Sequence, residues 1–318
     1  MIKVDLITGF LGAGKTTFLL RYARHLIEQK IKIGILVYDH GAVNVDFPLL
    51  NELRGEYCEL EMLAGSCDPD CHRRRFRTKL ISMAMSGYDR VLIEPSGVFD
   101  MDEFYDTLQE APLDRWYEIG SVVTIVDAKL EEKLTEEEDF FLATQAASAG
   151  CVVLSRVQLA EEEDIERTLA HLRRAEERVG CPPTGAKSIL VKPWDELTEE
   201  DYARLTACGY QLPEYVKTIA GQHADFQSLS FLDLPLTQEA LREKTERLFH
   251  DSRYGRVLRV KGLFQEEGVW YQLNATAQET HVEPVPDTRA AIVVIGLSLN
   301  EAEINLLLTG KIPELHIL

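Results

Sequence analysis

Short runs of aliphatic and β-branched residues recur along residues 1–210, and longer stretches with helical spacing separate them. The first run, Ile2–Ile7, precedes a segment from Thr16 to Gln29 whose apolar positions lie three or four residues apart, and a second run, Ile31–Val37, follows it. A strand, a helix and a strand in this order predict a βαβ unit in a parallel sheet. Later runs of the same kind predict further buried strands at Arg90–Ile93, Ser121–Val126, Cys151–Leu154 and Ser188–Val191.

Helical spacing fills the intervals between these runs. It predicts helices at Arg73–Ser86, Phe99–Glu110, Glu136–Ser148, Glu161–Val179 and Thr198–Cys208. Alternating strands and helices predict one α/β domain over residues 1–210, with a mostly parallel sheet flanked by helices.

The pattern changes after Tyr210. Residues 211–224 contain Pro213 and Gly221 and have weak periodicity, so we interpret them as a linker. Beyond it, strands are predicted at 226–231, 256–264, 269–274 and 290–295, and helices at 237–249 and 300–308. Residues 225–318 are therefore predicted to form a small α+β C-terminal domain.

Charge and composition narrow the class of protein. Hydrophobic residues make up 45% of the chain, which supports a packed core, and the net charge of −19 makes nucleic acid a poor partner. No apolar run reaches the ~20 residues of a membrane span, and the chain opens directly on a strand instead of a leader. Six scattered cysteines without a secretion signal indicate a reducing cytoplasm.

The segment Gly9–Thr16 carries the strongest chemical signal in the sequence. It fits the pattern G-x-x-x-x-G-K-[ST] at every fixed position, between a predicted strand and a predicted helix. In such a P-loop, glycines let backbone N–H groups converge on phosphates; Lys15 contacts the β- and γ-phosphates, and the Thr16 hydroxyl binds Mg²⁺. The predicted nucleotide-binding residues here are Gly12, Ala13, Gly14, Lys15, Thr16 and Thr17.

Several motifs together resemble the CobW-like P-loop GTPases, of the CobW/HypB/UreG group of metal-linked GTPases. The motifs are GFLGAGKTT at 9–17, Val37–Asp46, Leu92–Gly97, Thr124–Ala128, and, in the C-terminal domain, Arg256–Gly262 and Ile295–Ala302. The resemblance implies a Mg²⁺-dependent protein that binds GTP and hydrolyses it slowly. It also implies a metallochaperone or metalloenzyme maturation factor, with Zn²⁺ or Co²⁺ as cargo and a client protein as partner.

Two carboxylates are candidates for the chemistry around Mg²⁺. Glu94 follows the predicted strand Arg90–Ile93, at the strand end where ligands of such sheets bind, and would hold Mg²⁺ through water or orient the attacking water. Gly97 can offer an N–H to the γ-phosphate, so residues 94–97 form a candidate switch. Asp39 stands where the family has an acid, and it either reaches a metal or caps a turn. Lys15, Glu94 and Asp39 are the predicted catalytic residues.

The cysteine motif departs from the family pattern. CobW-like proteins usually carry C-x-C-C before the acidic motif, whereas this chain has Cys67 and Cys71 in a C-x-x-x-C spacing, with His72 adjacent. Thiolates and imidazole bind Zn²⁺ or Co²⁺, which makes these three residues candidate metal ligands. The alternative is a degenerate site with thiols near a turn. The basic residues of 73–79 form either a solvated helix face or a docking patch.

The base-reading loop departs as well. GTPases read guanine with N-K-x-D, and after the run Cys151–Leu154 this chain has Ser155, Arg156, Val157 and Gln158. The stem of Arg156 can replace that of lysine, but neutral Gln158 cannot act as the ionised double acceptor. GTP is favoured by the resemblance, while use of ATP, or a base read elsewhere, stays open.

Two other functions remain open from the sequence. The first is a GTP- or ATP-driven activator of an enzyme, without metal cargo, which the altered cysteine and base-reading motifs both favour. The second is a nucleotide-binding regulatory module that does not hydrolyse its ligand.

Overall fold

The computed structural model describes residues 1–38, 47–63, 69–131, 133–185, 188–214, 226–277 and 279–310. Asp39 and Cys67, both predicted metal ligands, lie outside these ranges. The described residues divide into two compact units. The first contains those of 1–38, 53–63 and 67–223, and the second contains those of 39–52 and 224–318.

The first unit is built on a seven-stranded sheet in the order β3-β2-β4-β1-β5-β6-β7, and every neighbouring pair is parallel. Its strands are β1 Ile2–Thr8, β2 Ile33–Tyr38, β3 Cys58–Leu63, β4 Arg90–Pro95, β5 Tyr117–Asp127, β6 Cys151–Ser155 and β7 Ile189–Leu190. The predicted parallel sheet flanked by helices is confirmed. The carboxyl ends of β4, β1, β5 and β6 lie side by side, which is where ligands of such sheets bind.

Helices connect these strands. In chain order they are α1 Lys15–Glu28, α2 Phe47–Leu50, α3 Pro69–Ala84, α4 Met101–Gln109, α5 Leu113–Trp116, α6 Glu136–Ala147, α7 Glu162–Val179 and α8 Glu199–Thr206. α2 belongs to the second unit. The predicted helix at 73–86 begins earlier than expected, at Pro69, because the turn that carries Cys71 and His72 is itself helical.

The core on one face of the sheet explains how α3 and α4 are placed. Tyr38, at the end of β2, stacks on Phe76 of α3 with ring centroids 4.8 Å apart, and Phe99 meets its ring edge-on at 5.4 Å. All three side chains are at most 1% exposed. Burying rings of this size stabilises the fold by about 1.5–3 kcal/mol each. The end of β2 is thereby packed against the helix that carries Cys71.

A buried polar group ties β1, β4 and β5 together below the site. Asp5 is 0% exposed; it accepts hydrogen bonds from the Tyr22 hydroxyl at 2.8 Å and the Ser121 N–H at 2.9 Å, and it pairs with Arg90. Burial raises the pKa of Asp5, and the contact with Arg90 acts against this rise. A charge this deep needs all of these partners, so the group fixes the relative positions of the strands whose carboxyl ends carry the site.

The second unit has a five-stranded antiparallel sheet in the order β11-β10-β9-β12-β8. Its elements are β8 Phe226–Leu232, α9 Gln238–His250, β9 Arg256–Glu266, β10 Val269–Ala275, β11 Thr280–Val285, β12 Ala291–Leu297 and α10 Glu301–Thr309. Leu241 of α9 and Ile304 of α10 join Val260 and Val294 of the sheet in one core. The predicted small α+β unit is confirmed.

The helices of both units have the lengths typical of globular proteins. The longest described helix, α7, has 18 residues, many of them charged. Nowhere in the described ranges does a helix combine the length and the apolar character needed to cross a membrane.

Candidate functional site

The loop between β1 and α1 has, at three places, a positive φ that strongly favours glycine. Gly9, Gly12 and Gly14 have φ values of 144°, 81° and 96°. A Cβ on Gly9 would also lie 2.3 Å from the carbonyl oxygen of Ile125 in β5. Glycine is therefore required by the backbone and by the neighbouring strand, which explains why the sequence motif identifies this loop so well.

Lys15 and the start of α1 give this loop its positive character. The Lys15 side chain is 6% exposed, and its Nζ donates to the Gly9 carbonyl oxygen at 3.0 Å, which holds the ammonium group at the loop. The first turn of α1 contains no acidic residue, whereas the first turns of α6, α7 and α8 contain several each. The N-terminal amides and dipole of α1 thus have no local carboxylate competing for them. Ala13 is buried here, and Thr17 is exposed on the same turn.

Thr16 and Glu94 meet at the carboxyl edge of the sheet. The Thr16 hydroxyl donates to Glu94 Oε1 at 2.6 Å, although 78 residues separate the two in sequence. Because β4 pairs with β1, the carboxylate that ends β4 reaches the helix that follows β1. Glu94 is 5% exposed. A hydroxyl and a carboxylate are the hard oxygen ligands that Mg²⁺ prefers, so this pair fits the ion that the P-loop implies.

The segment after Glu94 packs directly on the phosphate loop. A Cβ on Gly97 would lie 2.6 Å from the backbone nitrogen of Leu11. Gln145 of α6 approaches the same segment, and its Nε2 donates to the carbonyl oxygens of Gly97 at 3.1 Å and Phe99 at 3.4 Å. The sequence places Gln145 on a helix and gives no signal that it reaches this loop, because its partners lie 46 to 48 residues earlier.

Cys71 and His72 lie in the first turns of α3, in different environments. Cys71 is partly exposed, whereas His72 is 1% exposed and its Nδ1 lies 2.5 Å from the Tyr38 hydroxyl oxygen. That hydroxyl donates its single proton to Glu103 Oε1 at 2.8 Å, so Nδ1 of His72 is the donor in the other contact. The Nε2 atom then carries the imidazole lone pair, which is the arrangement found in metal-binding histidines.

The relay Glu103–Tyr38–His72 joins the start of α3 to the start of α4. Burial raises the pKa of Glu103, and the hydrogen bond from Tyr38 acts in the opposite direction. α4 follows directly on the segment 94–97, so the cysteine-bearing turn and the segment beside the phosphate loop are connected through three side chains. Within the described ranges, no three histidine, cysteine, aspartate or glutamate side chains gather as a metal cluster.

Three basic residues of α3 form ion pairs within the protein. Arg73 and Arg77 both pair with Glu110, at 2.6 and 3.1 Å, and Lys79 pairs with Glu61 at 2.8 Å. These pairs brace α3 against the end of α4 and against β3. They do not support a docking patch for a partner at Arg73, Arg77 and Lys79.

The segment predicted to read the base, residues 155–158, is held by an ion pair. Arg156 has a left-handed backbone with φ 54° and pairs with Asp127, the last residue of β5. Asp127 also accepts from the Lys129 N–H at 2.9 Å, so it caps the turn after its strand. Ser155 is 2% exposed, and Gln158 lies exposed on the following 3-10 turn. The ion pair places the Arg156 stem at the junction of β5 and β6.

Trp194 connects the end of β6 to the phosphate loop, a contact that the sequence did not predict. Its Nε1 donates to the Leu154 carbonyl oxygen at 3.0 Å, and its ring meets that of Phe18 edge-on at 5.4 Å. A Cβ on Gly14 would lie 3.2 Å from the same indole ring. The residues that Trp194 contacts lie 40 to 180 positions earlier in the sequence, so no local sequence motif predicts these contacts.

Three other cysteines are buried and chemically inert. Burial raises the pKa of the thiols of Cys58, Cys151 and Cys181 to about 12. Such thiols stay protonated at neutral pH, and metals and electrophiles react with the thiolate. Cys58, Cys151 and Cys181 are all buried, which is typical of structural cysteines.

Comparison with known proteins supplies family matches for both units. The family model described as CobW/HypB/UreG, nucleotide-binding domain, matches residues 3–180, more than half of the chain. The model of the cobalamin synthesis protein cobW C-terminal domain matches residues 226–310.

Curated relatives match the chain over part of its length. The chain is 30% identical over 159 residues to the zinc chaperone YeiR of Escherichia coli, covering 49% of this chain and 47% of that protein. It is 27% identical over 183 residues to the zinc chaperone YjiA of the same organism, covering 54% of each. The chain thus spans about half the length of these relatives.

A solved structure is also similar. The crystal structure of Zn(II)-bound YjiA GTPase from E. coli aligns over 98% of this chain and 99% of its own, at 20% identity and a TM-score of 0.35. The fold assignment rests on the strand order described above.

Proposed function

Because the chain belongs to the CobW/HypB/UreG family, we propose that it binds and slowly hydrolyses a nucleoside triphosphate with Mg²⁺, preferring GTP, and handles zinc for a client protein. The observation that carries the nucleotide part is the 2.6 Å contact between Thr16 and Glu94 beside the glycine loop. The zinc part rests on the names of the relatives and on the donor atoms at the start of α3.

Each residue of the site has a role in this proposal. The N–H groups of Gly12–Lys15 cradle the β- and γ-phosphates, and the Lys15 ammonium neutralises the charge that develops on them. Thr16 and Glu94 would hold Mg²⁺, Glu94 through water, and the bound ion would supply positive charge beside the transferred phosphoryl group. Glu94 also orients the attacking water, and the Gly97 N–H meets the γ-phosphate.

Turnover is expected to be slow. Positioning and electrostatic stabilisation dominate phosphoryl transfer, and no arginine is assigned to the transferred group. GTPases without such an arginine turn over at about 10⁻⁴–10⁻³ s⁻¹ until a partner stimulates them. A client protein is the natural candidate for that stimulation.

Phosphate release tests the enzymatic part. Wild type should release phosphate from GTP in the presence of Mg²⁺, and Lys15→Ala should lower the rate at least about 100-fold, because one electrostatic contact to a developing charge has that effect. Equal rates in both proteins would leave only a nucleotide-binding module. Thermal shifts with GTP and ATP settle the nucleotide, and equal shifts would remove the preference for guanine.

The zinc proposal assigns donors at the start of α3. Cys71 supplies a thiolate, and His72 supplies Nε2, with its ring orientation fixed by Tyr38. Cys67 and Asp39, outside the described residues, are the further donors expected from the sequence. Because Glu103–Tyr38–His72 leads to α4, metal and nucleotide should influence each other's binding.

Zinc titration of reduced protein tests this assignment. We expect about one tightly bound Zn²⁺ per chain in wild type and a loss of at least about tenfold in affinity for Cys71→Ser. Cys181→Ser is the matched control, because Cys181 is a buried thiol with a pKa of about 12 and should not matter. Equal zinc binding by wild type and Cys71→Ser would reject the assignment.

The second candidate function is a nucleotide-driven enzyme activator without metal cargo. It is favoured by two departures in the sequence: Cys67 and Cys71 have a C-x-x-x-C spacing in place of C-x-C-C, and the segment 155–158 departs from N-K-x-D. Mg²⁺-dependent phosphate release by a chain that binds no zinc would identify this alternative.

A further inference from the structure

Gln145 is a buried amide that contacts the segment beside the phosphate loop. It lies on α6, is 0% exposed, and donates from one Nε2 to the carbonyl oxygens of Gly97 and Phe99, at 3.1 and 3.4 Å. The hydroxyls of its neighbours Thr144 and Ser148 donate instead to carbonyl oxygens of the same helix, those of Phe140, Phe141 and Thr144. The Gln145 side chain, unlike these two hydroxyls, reaches the segment beside the phosphate loop.

The main chain of Gln145 is anchored to β5, the strand that packs against the phosphate loop. The Thr124 hydroxyl donates to the Gln145 carbonyl oxygen at 2.7 Å. Thr124 is paired with Thr8, the residue before the loop, and the next residue, Ile125, is the one that Gly9 contacts. The Cα atom from which the Gln145 side chain extends is thus fixed relative to the phosphate loop.

The other end of the contact is tightly confined. Gly97 is pressed so closely on Leu11 that a Cβ would lie 2.6 Å from the Leu11 nitrogen and 2.9 Å from its Cα. The Gly97 peptide is therefore held between the backbone of the phosphate loop and the amide of Gln145. A shift of either neighbour would turn the Gly97 N–H.

We propose that Gln145 is a positioning residue that sets the Gly97 peptide against the phosphate loop and so makes binding depend on the γ-phosphate. This inference rests on the proposed nucleotide function. A diphosphate lacks the group that the Gly97 N–H meets, so Gln145 matters for the triphosphate and not for the diphosphate. The Gln145 Oε1 has no hydrogen-bond partner among the described protein atoms, so it can accept a loop N–H if a peptide turns.

A side-chain amide with a purely structural role would change the ligand affinities in a different way. It would stabilise the folded chain and therefore affect every ligand of the loop equally. A positioning residue changes the ratio of triphosphate to diphosphate affinity, which stability alone does not move.

The test measures this ratio by calorimetry on the full chain with Mg²⁺. Gln145→Met keeps the side-chain length and removes the amide, and Thr144→Val removes a buried hydroxyl one residue away that bonds only within the described part of α6. For Gln145→Met we expect about tenfold weaker binding of a non-hydrolysable GTP analogue, the effect of one lost buried hydrogen bond, and GDP affinity within about twofold of wild type. Thr144→Val should keep the wild-type ratio.

The outcomes separate this inference from the function on which it rests. An unchanged ratio in Gln145→Met, or the same change in Thr144→Val, overturns the role of Gln145 alone. A wild-type chain that binds neither nucleotide overturns the proposed function and this inference with it. If Gln145→Met does not fold, amide exchange of wild type decides: residues 96–99 should be better protected with the GTP analogue than with GDP, and equal protection rejects the inference.

Discussion

The phosphate end and the base end of the candidate site are built by different means. At the phosphate end, three glycines with positive φ shape the main chain, and one glycine lies against the backbone of β5. At the base end, side chains from distant segments meet: Arg156 pairs with Asp127, and Trp194 bonds to Leu154. Main-chain geometry tolerates almost no substitution, whereas side-chain contacts can be replaced one at a time.

This difference explains where the sequence keeps to the family pattern and where it departs from it. The loop Gly9–Thr16 fits its motif at every fixed position, and the base-reading loop has Ser155 and Gln158 where GTPases have asparagine and aspartate. In the proposed site, backbone N–H groups would bind the phosphates, which every nucleotide has. The residues expected to read the base are the ones that depart from the family pattern.

The largest expected effect comes from adding one methyl group at the phosphate end. Gly9→Ala would place Cβ 2.3 Å from the Ile125 carbonyl oxygen in a backbone with φ 144°. We expect a loss of several kcal/mol in the free energy of unfolding, beyond the ~1–3 kcal/mol of backbone strain alone, and no measurable nucleotide binding. Denaturant unfolding and calorimetry measure both.

Gly180→Ala is the control for that substitution. Gly180 ends α7 with φ 79° and has open space around its Cβ position in the described structure. It should cost about 1–2 kcal/mol and leave nucleotide binding intact. Equal effects of the two substitutions would mean that the contact with β5 does not shape the loop.

A smaller effect is expected at the base end. If the Arg156 stem packs on the base, Arg156→Ala should weaken GTP binding about fivefold, the effect of about 1 kcal/mol of cation–π contact, and leave tripolyphosphate binding unchanged. Asp127→Asn breaks the ion pair but keeps the stem, so it separates packing from charge. A parallel loss of tripolyphosphate binding would place Arg156 at the phosphate end instead.

An effect of similar size, seen in stability and not in base recognition, is expected at Trp194, which joins the two ends. Trp194→Phe keeps a ring beside Gly14 and removes the hydrogen bond to the Leu154 carbonyl oxygen. We expect a loss of about 1 kcal/mol, seen as a decrease of about 2–4 °C in the melting temperature. Trp116→Phe, far from these contacts in sequence, serves as the control, and a larger decrease there would show that Trp194 is not a special link.

The sequence predicted the strands and helices whose apolar residues form a clear run or a clear helical spacing. β1, β2 and β4 coincide with short, nearly continuous apolar runs, and the structure confirms each within about two residues. β3 was missed, because it is an edge strand whose exposed positions carry Glu59 and Met62, and this pattern of charges and apolar residues gives no buried run. β11 was missed for a related reason, since an edge strand tolerates Pro284.

The site residues likewise divide into those that the sequence predicted and those that it missed. Lys15, Thr16 and Glu94 were predicted from a contiguous motif and from the end of a strand, and the last two meet at 2.6 Å. Gln145 and Trp194 were missed, because their contacts depend on how distant elements pack, which no local pattern records. His72 was predicted as a metal ligand, and its contact with Tyr38 was not, since Tyr38 lies 34 residues earlier.

The central claim is that Thr16 and Glu94 hold Mg²⁺ for a nucleotide bound at Gly9–Thr16. Calorimetric titration with GTP, in Mg²⁺ and in EDTA, of wild type and Thr16→Ala tests it most directly. The account predicts that Mg²⁺ strengthens GTP binding at least about tenfold in wild type, the weight of one ligand contact, and makes little difference in Thr16→Ala. No binding of GTP by wild type, or the same strengthening by Mg²⁺ in both proteins, would contradict it.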